Sequence, residues 1–92
     1  MFKIKYTKQA KNNIRNIFWY IAWDNLIVAT QTLQKIYSSI SHIQIFPYIW
    51  KQYNIYLREF IESKYKFRII YQVDESNSQI IILDVLKYRN TF

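Results

Sequence analysis

Four basic side chains in the second half of the chain could bind phosphate. They are Arg58, Arg68, Lys87 and Arg89, and three tyrosines stand near them in sequence, Tyr56, Tyr71 and Tyr88. A guanidinium can hold a phosphate through two parallel hydrogen bonds, and an aromatic ring can stack on a base. The set therefore indicates an RNA-binding surface. Ordinary solvent-facing residues of β-strands would give the same pattern, so this alternative stays open.

The residue types that are absent exclude most other chemistry. The chain has no cysteine, no glycine and one histidine, His42. It therefore lacks thiolate sites, disulfides and any pair of imidazole ligands. Without glycine, it also lacks the phosphate-cradling loops of nucleotide-binding proteins. The six acidic residues are scattered along the chain, so we expect no metal and no cofactor.

The charge of the chain is strongly positive. The 92 residues carry a formal net charge of +7, and residues 1–15 contain five cations and no acid, namely Lys3, Lys5, Lys8, Lys11 and Arg15. This balance predicts an anionic partner, either a nucleic acid or an acidic protein. A genome rich in A and T, which favours lysine codons, would raise the charge without any partner.

Length and hydropathy place the chain among small cytoplasmic proteins. A chain of 92 residues predicts a single domain over residues 1–92. No apolar run reaches the ~20 residues of a membrane span, and the N-terminus lacks the apolar core of a secretory signal. We therefore expect a cytoplasmic protein that does not contact a membrane.

The first half of the chain predicts a strand followed by two helices. Phe2, Ile4 and Tyr6 alternate with lysines, which is typical of a half-buried strand. Thr7 can cap a first helix and Asp24 a second one, because both side chains accept hydrogen bonds from free backbone N–H groups. Apolar residues recur every three or four positions from residue 10 to residue 43, and the short join between the helices predicts an antiparallel hairpin.

The second half predicts three antiparallel strands. Pro47 ends the helical region, residues 48–54 are expected to form a loop, and strands are predicted over Ile55–Glu62, Lys66–Val73 and Gln79–Leu86. The fold class is therefore α+β, with the order β-α-α-β-β-β and the helices on one face of an antiparallel sheet. We expect a largely buried core of Ile14, Ile17, Phe18, Leu33, Ile36, Ile40, Phe67, Ile69, Tyr71, Leu83 and Val85.

Several motifs, taken in order, resemble the RelE/ParE toxin superfamily of type II toxin–antitoxin systems. They are Ile4-Lys5-Tyr6-Thr7 with Ala10, the helical joint from Ile17 to Ala29, the end of the hairpin from Ile43 to Pro47, Leu57-Arg58-Glu59, Phe67-Arg68-Ile69-Ile70-Tyr71, and the last strand from Ile82 to Arg89. The resemblance covers nearly the whole chain, and it implies a toxin neutralised by direct binding of a cognate antitoxin in a hetero-oligomer.

The superfamily has two branches with different targets. RelE-like members cut ribosome-bound mRNA without a metal, and ParE-like members poison DNA gyrase. If this chain were a nuclease, the resemblance would assign catalysis to Arg68 together with Arg58, Lys87, Tyr88 and Arg89. In that case Arg68 would stabilise the charge that grows on the phosphate.

Departures from the nuclease pattern favour the ParE-like branch. Asn54 and Tyr56 stand where nucleases often carry lysines, and no histidine lies near the C-terminal motif. A binding domain without toxicity, or an inactive relic, is the third reading. Tryptophans are more often core residues or interface anchors than base-stacking platforms, and we expect Trp19, Trp23 and Trp50 to anchor a protein partner.

Overall fold

The computed structural model describes residues 1–87 as a helical hairpin packed against a mixed sheet. The elements are β1 (Lys3–Tyr6), α1 (Lys8–Ala22), α2 (Leu26–Ile45), β2 (Lys51–Gln52), β3 (Arg58–Glu62), β4 (Phe67–Asp74) and β5 (Gln79–Lys87), with a 3-10 turn at Glu75–Asn77. The strand order in the sheet is β1-β5-β4-β3-β2. The predicted α+β architecture, with two helices and then antiparallel strands, is confirmed.

The sheet differs from the prediction at both of its ends. The strands β3, β4 and β5 pair antiparallel as expected, but β1 pairs parallel to β5. The whole helical hairpin and three further strands separate β1 from β5, and a long connection of this kind permits parallel pairing. The segment predicted as a loop contains the short strand β2, which extends the sheet beyond β3.

The third strand begins later than predicted. The strand expected from Ile55 starts at Arg58 instead, because residues 53–57 form the turn between β2 and β3. The Asn54 side chain accepts hydrogen bonds from the backbone N–H groups of Tyr56 and Leu57, at 2.8 and 2.9 Å. Ile55 and Tyr56 are therefore exposed at a turn and do not belong to a strand.

One of the two predicted helix caps is confirmed. The Thr7 hydroxyl accepts a hydrogen bond from the N–H of Ala10 at 3.0 Å, as expected for the first residue before α1. The cap of α2 is Asn25, not Asp24, and its side chain accepts from the N–H of Val28 at 3.0 Å. Asp24 is still bound to the end of α1 through its own N–H, so the second helix starts one residue later.

The core lies between the hairpin and the sheet. Seven of the expected core residues are buried: Ile14, Ile36, Ile40, Phe67, Ile69, Tyr71 and Val85. The remaining four, Ile17, Phe18, Leu33 and Leu83, are only half-buried. For Leu83 the reason is an irregularity in the β4–β5 pairing, where Ile70 opposes Asp84 but Tyr71 opposes Ile82. This bulge leaves Leu83 without an opposing residue and turns Ile82 towards the core.

The same bulge fastens α1 to the sheet. The Thr7 hydroxyl donates to the backbone carbonyl of Leu83 at 2.8 Å, and the side-chain amides of Gln9 and Asn13 donate to the Asp84 carboxylate. A bulge exposes backbone and side-chain acceptors that a regular ladder would occupy or turn away. The angle of the hairpin on the sheet is therefore set by polar contacts as well as by packing.

Within residues 1–87, neither helix combines the length and the hydropathy that crossing a membrane requires.

Tyr71 links the middle of the sheet to the segment that follows α2. Its side chain is fully buried, and its hydroxyl donates to the backbone carbonyl of Pro47 at 2.6 Å. Burial raises the pKa of Tyr71 from 10.0 to about 12, and nearby Arg58 opposes this shift. The ring fills the core, and the hydroxyl holds the start of the loop that leads to β2.

Replacing Tyr71 with phenylalanine should change how stability depends on alkaline pH. Because the pKa is higher in the folded state than in the unfolded state, the contribution of Tyr71 is complete below pH 10 and is lost as pH rises through about 12. A pKa difference of one corresponds to about 1.4 kcal/mol, so ionisation of Tyr71 should lower the free energy of unfolding by roughly 2–3 kcal/mol. Tyr71→Phe should lower the free energy of unfolding by about 1 kcal/mol at neutral pH, because one buried hydrogen bond is lost. Above pH 10, the free energy of unfolding of this variant should fall less steeply than that of the wild type.

Urea unfolding measured at a series of pH values checks this expectation. Tyr56→Phe is the matched control, because the Tyr56 side chain is 70% exposed, and its profile should follow that of the wild type. If the free energy of unfolding fell equally steeply above pH 10 in Tyr71→Phe and in the wild type, the role assigned to the buried hydroxyl would be wrong.

Candidate functional site

The basic residues singled out in the sequence lie on two different faces of the sheet. Arg58 opposes Tyr71 and Lys87 opposes Phe67, so both basic residues lie on the face that carries the helices. Arg68 opposes Ile61 and lies on the face turned away from the helices. Directly opposed residues share a face because side chains alternate along a strand. Tyr88 and Arg89 lie outside the described residues.

Arg68 is engaged by a buried carboxylate. Its Nε donates to Oε2 of Glu59 on the neighbouring strand, and the Glu59 side chain is only 6% exposed. The hydrogen bond to Glu59 raises the pKa of Arg68 further above its ordinary value. The guanidinium also lies 6.0 Å from the centre of the Tyr53 ring. The charge that a nuclease would aim at phosphate is thus neutralised within the protein.

Arg58 holds the loop between α2 and β2. Its Nη1 donates to the backbone carbonyls of Tyr48 and Trp50, each at 3.0 Å. Its guanidinium also lies 5.3 Å from the centre of the Tyr48 ring. Backbone carbonyls turned away from solvent need a hydrogen-bond donor, and Arg58 is the donor to the carbonyls of both Tyr48 and Trp50. The contacts of Arg58 are therefore structural ones.

Lys87 lies at the mouth of an apolar cavity of about 490 Å³ beneath the hairpin. Ile17, Tyr20 and Phe67 form part of the cavity wall, and the Lys87 ammonium lies 6.0 Å from the centre of the Tyr20 ring. Thr32 also lines this cavity, and its hydroxyl has no hydrogen-bond partner among the described residues. Lys87 and Arg68 lie on neighbouring strands but on opposite faces of the sheet, so their side chains do not form one site.

Two of the three tryptophans are exposed at the tip of the hairpin. Trp19 is 63% exposed and Trp23 is 90% exposed. We define the hairpin tip as these two residues with their exposed apolar neighbours Tyr20, Leu26 and Ile27. Large exposed apolar patches mark interaction surfaces, since water is a poor solvent for them.

Trp50 is placed differently. It is half-buried and packs edge-to-face on Phe60, with ring centroids 4.4 Å apart. Its indole N–H is buried and has no hydrogen-bond partner among residues 1–87. Trp50 thus belongs to the core around β3, and its contacts differ from those of Trp19 and Trp23.

Sequence reasoning overlooked a second exposed apolar region, in the loop on either side of Trp50. Its members are Ile45, Phe46, Tyr48, Ile49, Tyr53, Ile55 and Tyr56, each between 46% and 75% exposed. The available signal was the run of aromatic and aliphatic residues within the predicted loop, residues 48–54, where burial cannot account for them. In the described part of the chain, no group of three or more potential metal ligands comes together.

The arrangement of helices and strands is that of known toxins. The fold is similar to a chain of the chromosomal ParDE toxin–antitoxin system from P. aeruginosa, with a TM-score of 0.80 and 17% identity over 97% of this chain and 98% of that one. It is also similar to a chain of the intact E. coli RelBE toxin–antitoxin complex, with a TM-score of 0.69 and 15% identity over 98% and 100% of the two chains. The isolated E. coli RelE toxin gives a TM-score of 0.70 and 15% identity over 99% and 88%.

These similarities define the fold as that of the RelE/ParE toxin superfamily. Residues 4–92 match the sequence profile of the ParE toxin of type II toxin-antitoxin systems, parDE. The chain therefore belongs to the ParE toxin family. No curated protein matches the sequence at a significant level.

Proposed function

We propose that this chain is the toxin of a type II toxin–antitoxin module, is neutralised by direct binding of its cognate antitoxin, and inhibits growth by contact with DNA gyrase. Membership of the ParE family supports the first part. The related P. aeruginosa ParDE and E. coli RelBE structures are described as toxin–antitoxin assemblies, which supports the second. The third part rests on the state of the basic residues.

The observation that carries the choice of target is the pairing of Arg68 with Glu59. A nuclease needs preorganised cations that are free to meet the negative charge developing on phosphate. Here one arginine is neutralised by a buried carboxylate and the other is bound to two backbone carbonyls. Arg68 also lies on the opposite face of the sheet from Arg58 and Lys87. Inhibition through protein–protein contact requires none of these groups to act on phosphate.

The hairpin tip is the surface that suits contact with a protein target. Trp19 and Trp23 are side chains of the type that supplies most of the binding free energy at interfaces. Trp23, at 90% exposure, makes little contact with the rest of the protein. Its apolar surface is therefore available to a partner.

Purified protein should inhibit DNA supercoiling by gyrase and leave ribosome-bound mRNA intact. The measurement adds the protein to a supercoiling assay and, separately, to a translating extract whose mRNA ends are mapped.

Co-expression of the small protein encoded beside the gene should restore growth and yield a complex that co-purifies. Cleavage of mRNA with unaffected supercoiling would instead establish the RelE-like alternative. Inactivity in both assays, with no rescue, would favour a non-toxic relic.

A variant of the hairpin tip tests whether this surface contacts gyrase. The double change Trp19→Ser and Trp23→Ser removes apolar surface that faces solvent, so the fold should be preserved. Inhibition of gyrase should weaken by about thirtyfold or more, since a tryptophan that acts as an interface hot spot contributes at least about 2 kcal/mol. Ile55→Ser is the control, because Ile55 is 75% exposed on the turn between β2 and β3. Equal loss in both variants would exclude the tip as the contact surface.

A further inference from the structure

The cavity beneath the hairpin has the size of a small-molecule binding site. Its volume is about 490 Å³, and it lies between the two helices and the last residue pair of the β4–β5 ladder, Phe67 with Lys87. We call it the Lys87 cavity. Ligand pockets commonly measure roughly 300–1,000 Å³. Because protein interiors are as densely packed as organic crystals, the walls of a hollow this large lack contacts that an occupant would restore.

The walls of the Lys87 cavity are mostly apolar. Ile17, Ile21 and Val28 line it from the helices, and Tyr65 and Phe67 line it from the side of the sheet. Phe67 is buried, whereas the other four are only half-buried, so the helices and the sheet do not cover them completely. The rings of Tyr65 and Phe67 have centroids 6.3 Å apart, and aromatic rings pair favourably through offset or edge-to-face contacts. The body of a matching ligand is therefore apolar, and an aromatic ring suits this wall.

A hydroxyl without a partner lies at the inner end of the cavity. Thr32 lines the cavity and is 0% exposed, and its Oγ1 has no hydrogen-bond partner among residues 1–87. The buried Ser39 of α2 instead donates to the backbone carbonyl of Lys35 one turn earlier, at 2.8 Å. Buried polar groups normally have such a partner, because water is not available to replace it. A ligand with a polar atom at its inner end would supply the partner that Thr32 lacks.

The mouth of the cavity carries a positive charge. Lys87 is exposed there, with its ammonium 6.0 Å from the centre of the Tyr20 ring. In the described part of the chain, no carboxylate pairs with Lys87 and no acidic residue lines the cavity. A cation beside an apolar hollow attracts an anion more strongly than a cation in open water does, because the local dielectric constant is lower. The outer end of a matching ligand is therefore anionic.

We propose that the Lys87 cavity binds a small aromatic carboxylate that carries a hydroxyl at the end opposite its carboxylate. The ring packs between the helices and Phe67, the ligand hydroxyl forms a hydrogen bond with Thr32, and the carboxylate lies beside Lys87. An alkyl carboxylate would leave Thr32 without a partner, and an amine would be repelled by Lys87. The site involves neither the antitoxin nor gyrase and therefore goes beyond the proposed function.

Titration of the isotope-labelled protein with three probes, followed by NMR, tests the proposal. The probes share one ring: para-hydroxyphenylpropionate has both polar ends, phenylpropionate lacks the hydroxyl, and tyramine carries an amine in place of the carboxylate. The first probe should bind most tightly and shift the amide resonances of Val28 and Thr32. Phenylpropionate should bind about fivefold more weakly, because one hydrogen bond is lost, and tyramine more weakly still. Equal affinity for the three probes, or no binding of the first, would overturn the proposal.

Three variants assign the contacts. Thr32→Val keeps the shape and removes the hydroxyl, so the two carboxylates should bind to it with equal affinity. Lys87→Gln should weaken the binding of both carboxylates by about fivefold. Lys51→Gln is the matched control, because Lys51 is exposed on the edge strand β2, and it should bind like the wild type. A retained preference for the hydroxyl in Thr32→Val, or undiminished binding by Lys87→Gln, would contradict the assignment. Thermal melts verify that each variant is folded.

The same spectra identify other positions and other occupants. Shifts confined to residues outside the cavity would place the probe elsewhere and would overturn the proposal. Cross-peaks between the cavity residues and residues 88–92 in the free protein would mean that the chain fills its own cavity, with the same consequence for the proposal.

Discussion

Replacing Arg68 with alanine should lower the free energy of unfolding by about 3 kcal/mol. The reason is the carboxylate that remains. Glu59 is 5% exposed, and Arg68 is its ion-pair partner in the described part of the chain. A buried charge without a partner is costly, because the protein interior solvates it poorly. Urea unfolding followed by circular dichroism measures the change.

A double-mutant cycle measures the interaction free energy between Arg68 and Glu59 apart from the effect of each single substitution. Glu59→Gln removes the charge and keeps the shape, so Arg68→Ala combined with Glu59→Gln should cost clearly less than the sum of the two single changes. Arg15→Ala is the control, since Arg15 is exposed and should change stability by no more than about 0.5 kcal/mol. If Arg68→Ala left stability intact but abolished cleavage of mRNA, the arginine would be catalytic and the gyrase proposal would be wrong.

The second large effect is expected in the core. Ile36→Ala should destabilise the protein by about 2–5 kcal/mol, because Ile36 is 1% exposed between the hairpin and the sheet. Alanine is the better helix former, so the loss would come from packing and not from the helix itself.

Ile27 provides the same substitution on the same helix without burial. It is 71% exposed, so Ile27→Ala should leave stability nearly unchanged. Chemical denaturation of both variants gives the comparison. Equal stabilities would mean that Ile36 does not pack in the core as described.

Hydrophobic periodicity was sufficient to predict the main elements of this fold. The apolar stripes of α1 and α2 and the alternation in β4 are local properties, and burial of one face enforces them. The cap at Thr7 was predictable for the same reason, because its hydrogen bond spans only three residues. The predicted cap at Asp24 was wrong because Asp24 is still bound to α1, a contact that sequence types alone do not distinguish.

Features that depend on pairing across the sheet could not be predicted in this way. The parallel alignment of β1 with β5 and the bulge near Leu83 arise from contacts between residues that are distant in sequence. The same holds for the candidate site. Arg68 and Glu59 are diagonal neighbours on β4 and β3, and their contact follows only from the register of these two strands. The sequence therefore predicted basic residues on the sheet, whereas their partners and faces required the structure.

The position of β5 has a consequence for how the protein is made. This strand lies between β1 and β4 and supplies Ile80, Ile82 and Val85 to the core. Contacts between residues so far apart in sequence form slowly, because a long loop must close first. During synthesis, β1 and the hairpin leave the ribosome well before β5 and have no sheet to pack on. The toxin fold can therefore form only when translation has passed Lys87, and until then the nascent chain exposes its apolar stripes.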